Sequence, residues 1–496
     1  MLHNASALVS CPNLERMFLE SCNDITNITP CPKLLCLNIR DCRSLSNIAP
    51  GLDSNLQTLF LKSCASLTDI SPCPALHRLE IRDCASLWNI SAVLSSCQGL
   101  GHLLVIFNPS PELSSTRAMS ACTSLHTFHI KNNCGSITNV SGLASCRSLW
   151  GASFQGCQAL QDISALSSCV ALSSLRIAAC PSILNIPDFS SCPSLHSLTM
   201  EKCESVLSLS GLESCLALQK LKIVDCNNVT EASVVSRLTA LETLEIDSLS
   251  ECPVLTSCTA LKSVAINAFG SISNLHDVLP RVPLFDLSLA RCYDLVDISV
   301  LSSSSDNLGR LTFMCPELSD FSVMASFTEL EELLLVGCEA MSVFPRLPSC
   351  KYLDIVTIEA CAMLSDISGL SLCTGLKVLA ITECASITDV SPLSSCKALE
   401  DVNLRGCVSL SDISALSSYC LFLKKLNLKN CKSLRDVSAL SHCPRLRWLQ
   451  LSGCDSISHL RSLLHSLPNV VVRGPGFMGA RWGGMVARRG GINQLR

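Results

Sequence analysis

Apolar residues recur along most of this chain in one short pattern. A leucine opens each unit, a second apolar residue follows three positions later, and a third, most often leucine or isoleucine, stands two further on. Residues 172–194 read LSSLRIAACPSILNIPDFSSCPS, residues 195–217 read LHSLTMEKCESVLSLSGLESCLA, and residues 376–398 read LKVLAITECASITDVSPLSSCKA. The unit is L-x-x-L-x-I/L-x-x-C-x-x-L/I-x-D/N-I/V-S-x-L-x-x-C-x-x with a common period of 23, and twenty unit starts run from Leu14 to Leu446 at spacings of 20 to 25. Alternation at every second residue is the signature of a strand with one buried face. Leu175 and Ile177, Leu221 and Ile223, and Leu426 and Leu428 are such inward pairs. The C-x-x-L/I-x-D/N segment turns the chain, because Asx side chains hydrogen-bond nearby backbone. The closing S-x-L-S-S-C segment is too short for a long α-helix, so single 3₁₀ turns or irregular backbone are predicted there and helix content should be low. No unit can bury its apolar edge alone; stacked neighbours bury a continuous core.

Over roughly residues 8 to 467 this pattern resembles the leucine-rich-repeat family. Its D-I-S-x-L half is similar to the short repeats of bacterial internalins and of the phosphatase-regulator type, and its turn cysteine resembles the cysteine-containing repeats of F-box proteins. The resemblance implies an α/β-type leucine-rich-repeat solenoid, with a curved parallel β-sheet on the concave side and short 3₁₀ or irregular convex segments. On this reading residues 1–473 form the solenoid and the Gly/Arg-rich residues 474–496 a disordered tail. The pattern is irregular near 104–124, 247–283 and 301–318, which reads as repeat decay or tolerated variation in outer loops. The sequence opens at A-S-A-L-V-S-C-P-N, the back half of a repeat, so a capping element is expected from outside this stretch.

The 34 cysteines change meaning once placed on the repeat. Sixteen follow the strand, from Cys22 to Cys454, and a second class closes the unit, with Cys97, Cys169, Cys373 and Cys443 typical. Two inward columns of small hydrophobes account for both. Disulfides and metal clusters are the competing readings, but one thiol per unit supplies neither a C-x-x-C pair nor three converging ligands. A long column of free thiols suits a reducing compartment, so a cytoplasmic location is expected.

Net charge is −4 at a pI of about 6.2, which makes no case for nucleic acid as a partner. Phosphate-binding, nucleophile-elbow, zinc-protease and dinucleotide motifs are absent from the text and the ten histidines are scattered, so neither an enzyme nor a cofactor or metal site is expected. No apolar run is long enough to span a membrane, and no small-molecule substrate is implied.

The expected function is non-catalytic binding of a partner protein on the concave strand positions. A basic patch near the C-terminus comprises Arg405, Lys425, Asn427, Lys429, Arg447, Trp448 and Gln450, with Trp448 read as an exposed anchor. An acidic patch mid-chain comprises Glu242, Glu245 and Asp247, with Glu331 and Glu332 as a further one. Opposite charge at separated places would orient a polar partner. The F-box-like cysteine repeats imply one specific version, substrate recognition with ubiquitin ligase subunits. The alternative is the receptor part of a sensor whose effector domain lies outside this sequence.

Overall fold

The computed structural model describes residues 11–473 except 12, 30, 50–53, 88–89, 107–115, 133–136, 248, 250–251, 268–271, 349, 419–420 and 458–469. The expected tail at 474–496 and the opening half-repeat at 1–10 lie outside the described residues. The chain falls into two compact units, Met1–Leu261 and Lys262–Arg496.

In the first unit, parallel strands follow one another in chain order from Arg16–Glu20 to Thr243–Asp247. Each starts two residues after a unit-opening leucine, so all the strands share one register. Leu175, Leu198, Leu221 and Leu244 therefore stand level with one another, as do Ile177, Met200, Ile223 and Ile246. These side chains are buried while the residues between them face outward. Each such leucine or isoleucine contributes about 1.5–3 kcal/mol by leaving water, and it does so only because the next repeat covers it. The second unit repeats the arrangement from Ser263–Asn267 to Val471–Arg473.

The opposite side carries the short turns predicted from S-x-L-S-S-C. They are 3₁₀ helices such as Ser164–Ser168, Ser233–Arg237 and Ser391–Ser395, and Ser91–Ser96 is the one α-helix among the described residues. In many repeats an Asp two residues ahead of the turn caps its first backbone N–H, and Ser208 does so for Ser210. Asp162 accepts from the Ser164 N–H at 2.8 Å, Asp366 from Ser368 at 2.7 Å and Asp412 from Ser414 at 2.7 Å. Between strand and turn, Asn27–Ile28, Asn47–Ile48 and Asp69–Ile70 pair as a second, three-stranded parallel sheet.

The residue before the turn cysteine has a positive φ in repeat after repeat: Asp41, Asp83, Lys202, Asp225, Ala360 and Glu383 among others, and glycine at 156, 337, 406 and 453. This left-handed step turns the chain inward so that the thiol enters the core. A side chain there costs about 1–2 kcal/mol. A Cβ added at Gly337 would meet nothing within 4 Å, so Gly337→Ala isolates that backbone cost. It is expected to lower stability by about 1 kcal/mol, read as a shift of the urea midpoint at unchanged slope.

The stretch at 301–318, irregular in sequence, is a complete repeat. Its 3₁₀ helix Ser299–Ser304 leads into the strand Arg310–Met314 with Cys315 at the turn. Ser304 takes the place of the unit-closing cysteine and is 1% exposed. Its hydroxyl donates to the Val282 carbonyl at 2.8 Å and accepts from the Leu284 N–H at 3.2 Å. Ser304→Ala removes both bonds and leaves the Val282 carbonyl and the Leu284 N–H only the 3.0 Å bond they make with each other, which should cost about 1 kcal/mol for each bond lost, measurable by thermal unfolding. Ser304→Cys restores a donor and should cost less. Within 247–283 the strand Ser263–Asn267 and the 3₁₀ turn Leu275–Asp277 are regular. So are His102–Ile106 and Thr116–Ala121 at the edges of the first irregular stretch, whose centre lies outside the described residues.

Candidate binding face

In each unit the outward strand residues form a face; it carries Glu245 and Asp247 in the first and Lys425, Asn427, Trp448 and Gln450 in the second, while Glu242, Arg405, Lys429 and Arg447 lie just beyond the ends of their strands. At the C-terminal end, Asp401, Lys425 and Trp448 stand level in adjacent strands, and Asn403, Asn427, Gln450 and Arg473 form the next such row. The cations are not left as a bare positive patch. Lys425 Nζ donates to Asp401 Oδ2 at 3.0 Å, Lys424 Nζ to Glu400 Oε2 at 2.6 Å, and Arg405 pairs with Glu383 at 3.1 Å. Glu400 is held below the usual carboxylate range, first by its hydrogen bond from Lys424. Arg405, Lys429 and Arg447 are exposed. Asn427 points its amide oxygen at the Lys429 N–H, 3.0 Å away, and Gln450 donates to Ser452 at 2.9 Å, so both amides close the strand end.

Trp448 corrects an expectation. It is half-buried rather than exposed. The adjacent strands place Lys425 and Val471 level with it, about 4.8 Å away on either side, close enough to shield much of the ring. Val471, 54% exposed, is the more exposed apolar residue of the pair.

The acidic residues belong to an alternating ladder in the first unit. Glu245 receives Lys222 Nζ at 2.8 Å, Lys222 also reaches Glu201 at 3.4 Å, and Glu201 holds Arg176 at 2.6 Å. Partial burial works against the Lys222 ammonium, but hydrogen bonding and charge from Glu245 and Glu201 outweigh it and raise its pKa. Glu242 and Asp247 are half-buried beside the same strand. In the second unit Glu332 lies 3.6 Å from Arg310. Sequence reading found the acidic and basic ends but missed Arg176, Glu201, Lys222, Glu383, Glu400 and Asp401. The signal was present: aligned on the repeat, Arg176, Lys222 and Glu245 fall in one column. Exposed pairs of this kind contribute at most about 1 kcal/mol each; their effect is to fix where charge sits.

Behind this face run two thiol columns. In the unit-closing column, Cys97 donates to the Cys73 carbonyl at 3.0 Å, Cys146 to Cys122 at 3.3 Å and Cys396 to Leu370 at 3.3 Å. In the turn column, Cys407 donates to Ile381 at 3.3 Å and Cys454 to Leu428 at 2.8 Å. Each thiol thus gives a weak donor to a carbonyl of the preceding repeat, which an aliphatic side chain cannot do. These cysteines are free and buried. Two corrections apply: Cys443, expected as a packing thiol, is disulfide-bonded, and Cys22 is only half-buried. Among the described residues no group of three or more His, Cys, Asp or Glu side chains is placed to hold a metal ion, and no helix is long and apolar enough to cross a membrane.

Comparison with solved structures follows this geometry. The chain superposes on a leucine-rich-repeat protein of Leptospira interrogans with a TM-score of 0.53 and 13% identity, covering 95% of this chain and 98% of that one. The fold is a leucine-rich-repeat solenoid. A second leucine-rich-repeat neighbour is the functional domain of InlJ from Listeria monocytogenes, which includes a cysteine ladder. There the TM-score is 0.50 at 16% identity, over 74% of this chain and 72% of that one. No protein-family model and no curated protein matches the chain.

Proposed function

We propose that this leucine-rich-repeat protein is a non-catalytic scaffold that holds a partner protein on its concave strand face. The observation that carries the reading is the ordered display of charge on that face: rows of ion-paired side chains in register, ending at Trp448 and Val471 beside the exposed Arg405, Lys429 and Arg447. Paired charges at fixed strand spacing give a polar partner orientation and register more than raw affinity. The free thiols of the two columns, with Cys443 the disulfide-bonded exception, favour a reducing compartment, and the proposal extends to a cytoplasmic location.

The test is capture of partners from cells by the tagged full chain, compared with two variants. Arg447→Ala combined with Lys429→Ala alters the face; Ser394→Ala combined with Lys397→Ala alters the opposite side. Loss of a partner with the first variant and retention with the second is expected. Equal capture by all three chains would sink the reading. Recovery of ubiquitin ligase subunits among the face-dependent partners is the result required for the substrate-recognition version.

A further inference from the structure

One region of the strand face lies apart from both predicted patches. Near the start of the first unit, Arg40, Lys62 and Arg82 stand level on three adjacent strands, and Phe18, Asn38, Phe60 and Glu80 form the row beside them. Between the rows lies a cleft of about 300 Å³ lined by Asn38, Arg40, Phe60, Lys62, Glu80 and Arg82. Arg40, Lys62 and Arg82 are exposed, and Phe18 is 68% exposed. Glu80 is engaged by both Arg78 and Arg82. Arg40 donates to the neutral Asn38 amide at 3.2 Å, and Lys62 makes no ion pair among the described residues. Arg40 and Lys62 therefore carry charge without an ion pair, although Glu20 stands level with Arg40 on the neighbouring strand and Arg82 is shared with Glu80.

We infer that this cleft binds an extended, acidic segment of a partner protein, whose carboxylates lie along Arg40, Lys62 and Arg82 and whose apolar side chain rests on Phe60 and Phe18. Three adjacent strands spread their cations over about 10 Å, and two carboxylates on one side of an extended segment lie about 6.7 Å apart, so both fall within reach. The Arg40 fork suits carboxylate geometry beside the compact Lys62 charge, and Arg82 reaches a ligand in competition with Glu80. Phe60 is held by Arg78, whose guanidinium carbon lies 5.3 Å from the ring centroid, so one aromatic wall is positioned in advance. A single-stranded nucleic acid would also use cations and aromatics. It needs a continuous positive track for its phosphates, and here Glu20, Glu80, Asp41 and Asp83 interrupt the track on the strands and turns around the cleft.

The inference rests on the scaffold reading and places a second contact on the same face. The test is fluorescence anisotropy of the full chain with a labelled peptide, Gly-Glu-Phe-Glu-Glu-Phe-Glu-Gly, its glutamine counterpart, and a single-stranded adenine octaribonucleotide. The acidic peptide is expected to bind, and to bind at least about tenfold more weakly when salt is raised from about 50 to about 300 mM. The glutamine peptide should be weaker by about tenfold or more, as should the acidic peptide against an R40Q/K62Q/R82Q chain. Lys62→Gln alone, at an exposed side chain without an ion pair, should give a several-fold loss and guards against misfolding of the triple variant. Equal binding of the neutral peptide, no binding of the acidic one, or binding of the RNA alone overturns the inference. If cellular partners are lost with Arg447→Ala and Lys429→Ala but kept by the triple variant, the cleft is overturned and the scaffold reading stands.

Discussion

Raising the pH from about 9 to about 11 is expected to unfold this protein, with loss of far-ultraviolet circular dichroism before its lysines have fully titrated. The cause is the thiol columns. Burial pushes Cys73, Cys122, Cys169, Cys373 and Cys407 up to about 12, and Cys146, Cys215, Cys258, Cys350 and Cys396 up to about 11, from an ordinary 9.0. In the unfolded chain these groups ionise near pH 9; in the folded chain they hold their protons. Their contribution to stability is complete below pH 9 and is lost as pH rises through the folded values. Each thiol costs about 1.4 kcal/mol per pH unit in that window. A folded domain is stable by about 5–15 kcal/mol, so a handful of such thiols reaches the total within one to two pH units. Exposed ion pairs lost over the same range matter far less. The measurement is ellipticity against pH, with thiol counting by a disulfide reagent: few thiols should react at pH 8 and most beyond the transition. A flat signal to pH 11 would show that the columns are not buried as thiols.

Gly369→Ala is expected to destabilise the second unit by about 3 kcal/mol, and Gly211→Ala the first by a similar amount. Both glycines stand in a 3₁₀ turn, Ser368–Leu372 and Ser210–Leu212. A Cβ at Gly369 would collide with the carbonyls of Pro345 and Phe344, and one at Gly211 with those of Ile186 and Pro187. Most other repeats carry a side chain at this position, such as Ala165, Ala439 or Val234, though Gly142 recurs there, because each turn stacks on a similar turn of the repeat before it. In the two repeats reading I-P-D-F and F-P-R-L the segment is not helical, and its carbonyls press against the next repeat. These are backbone atoms, so relief requires movement of a whole segment. The check is chemical unfolding of each variant beside Ala439→Gly, which should lose only the roughly 1 kcal/mol of glycine's entropy cost. Equal losses in all three would mean that the preceding repeat does not set the requirement.

That coupling shows where sequence reading reached its limit. The Pro–Gly correspondence is written in the text, Pro187 with Gly211 and Pro345 with Gly369. Its meaning depends on which carbonyls face the next repeat. The Arg176–Glu201–Lys222–Glu245 ladder was open to the same kind of reading. Patches read along one repeat hide partners that lie across strands, and contacts on this face run across strands. Trp448 was misjudged for the same reason, since its exposure depends on Lys425 and Val471 in neighbouring repeats. Ser304 looked like part of a decayed unit because only the hydrogen bonds it makes show that it replaces a cysteine.

The repeat period, the strand at each unit start, the short opposite turns and the inward cysteines were determined by the sequence alone. All four follow from local geometry and from an apolar pattern that leaves a single register. The left-handed residue before the turn cysteine, the pairing of charge along rows, the glycines demanded by the preceding repeat and the open cleft at Arg40, Lys62 and Arg82 were decided only in the tertiary structure. Each depends on the distance between side chains or carbonyls of adjacent repeats, about one strand spacing apart. At that distance steric overlap and charge pairing act between residues some twenty positions apart in the chain.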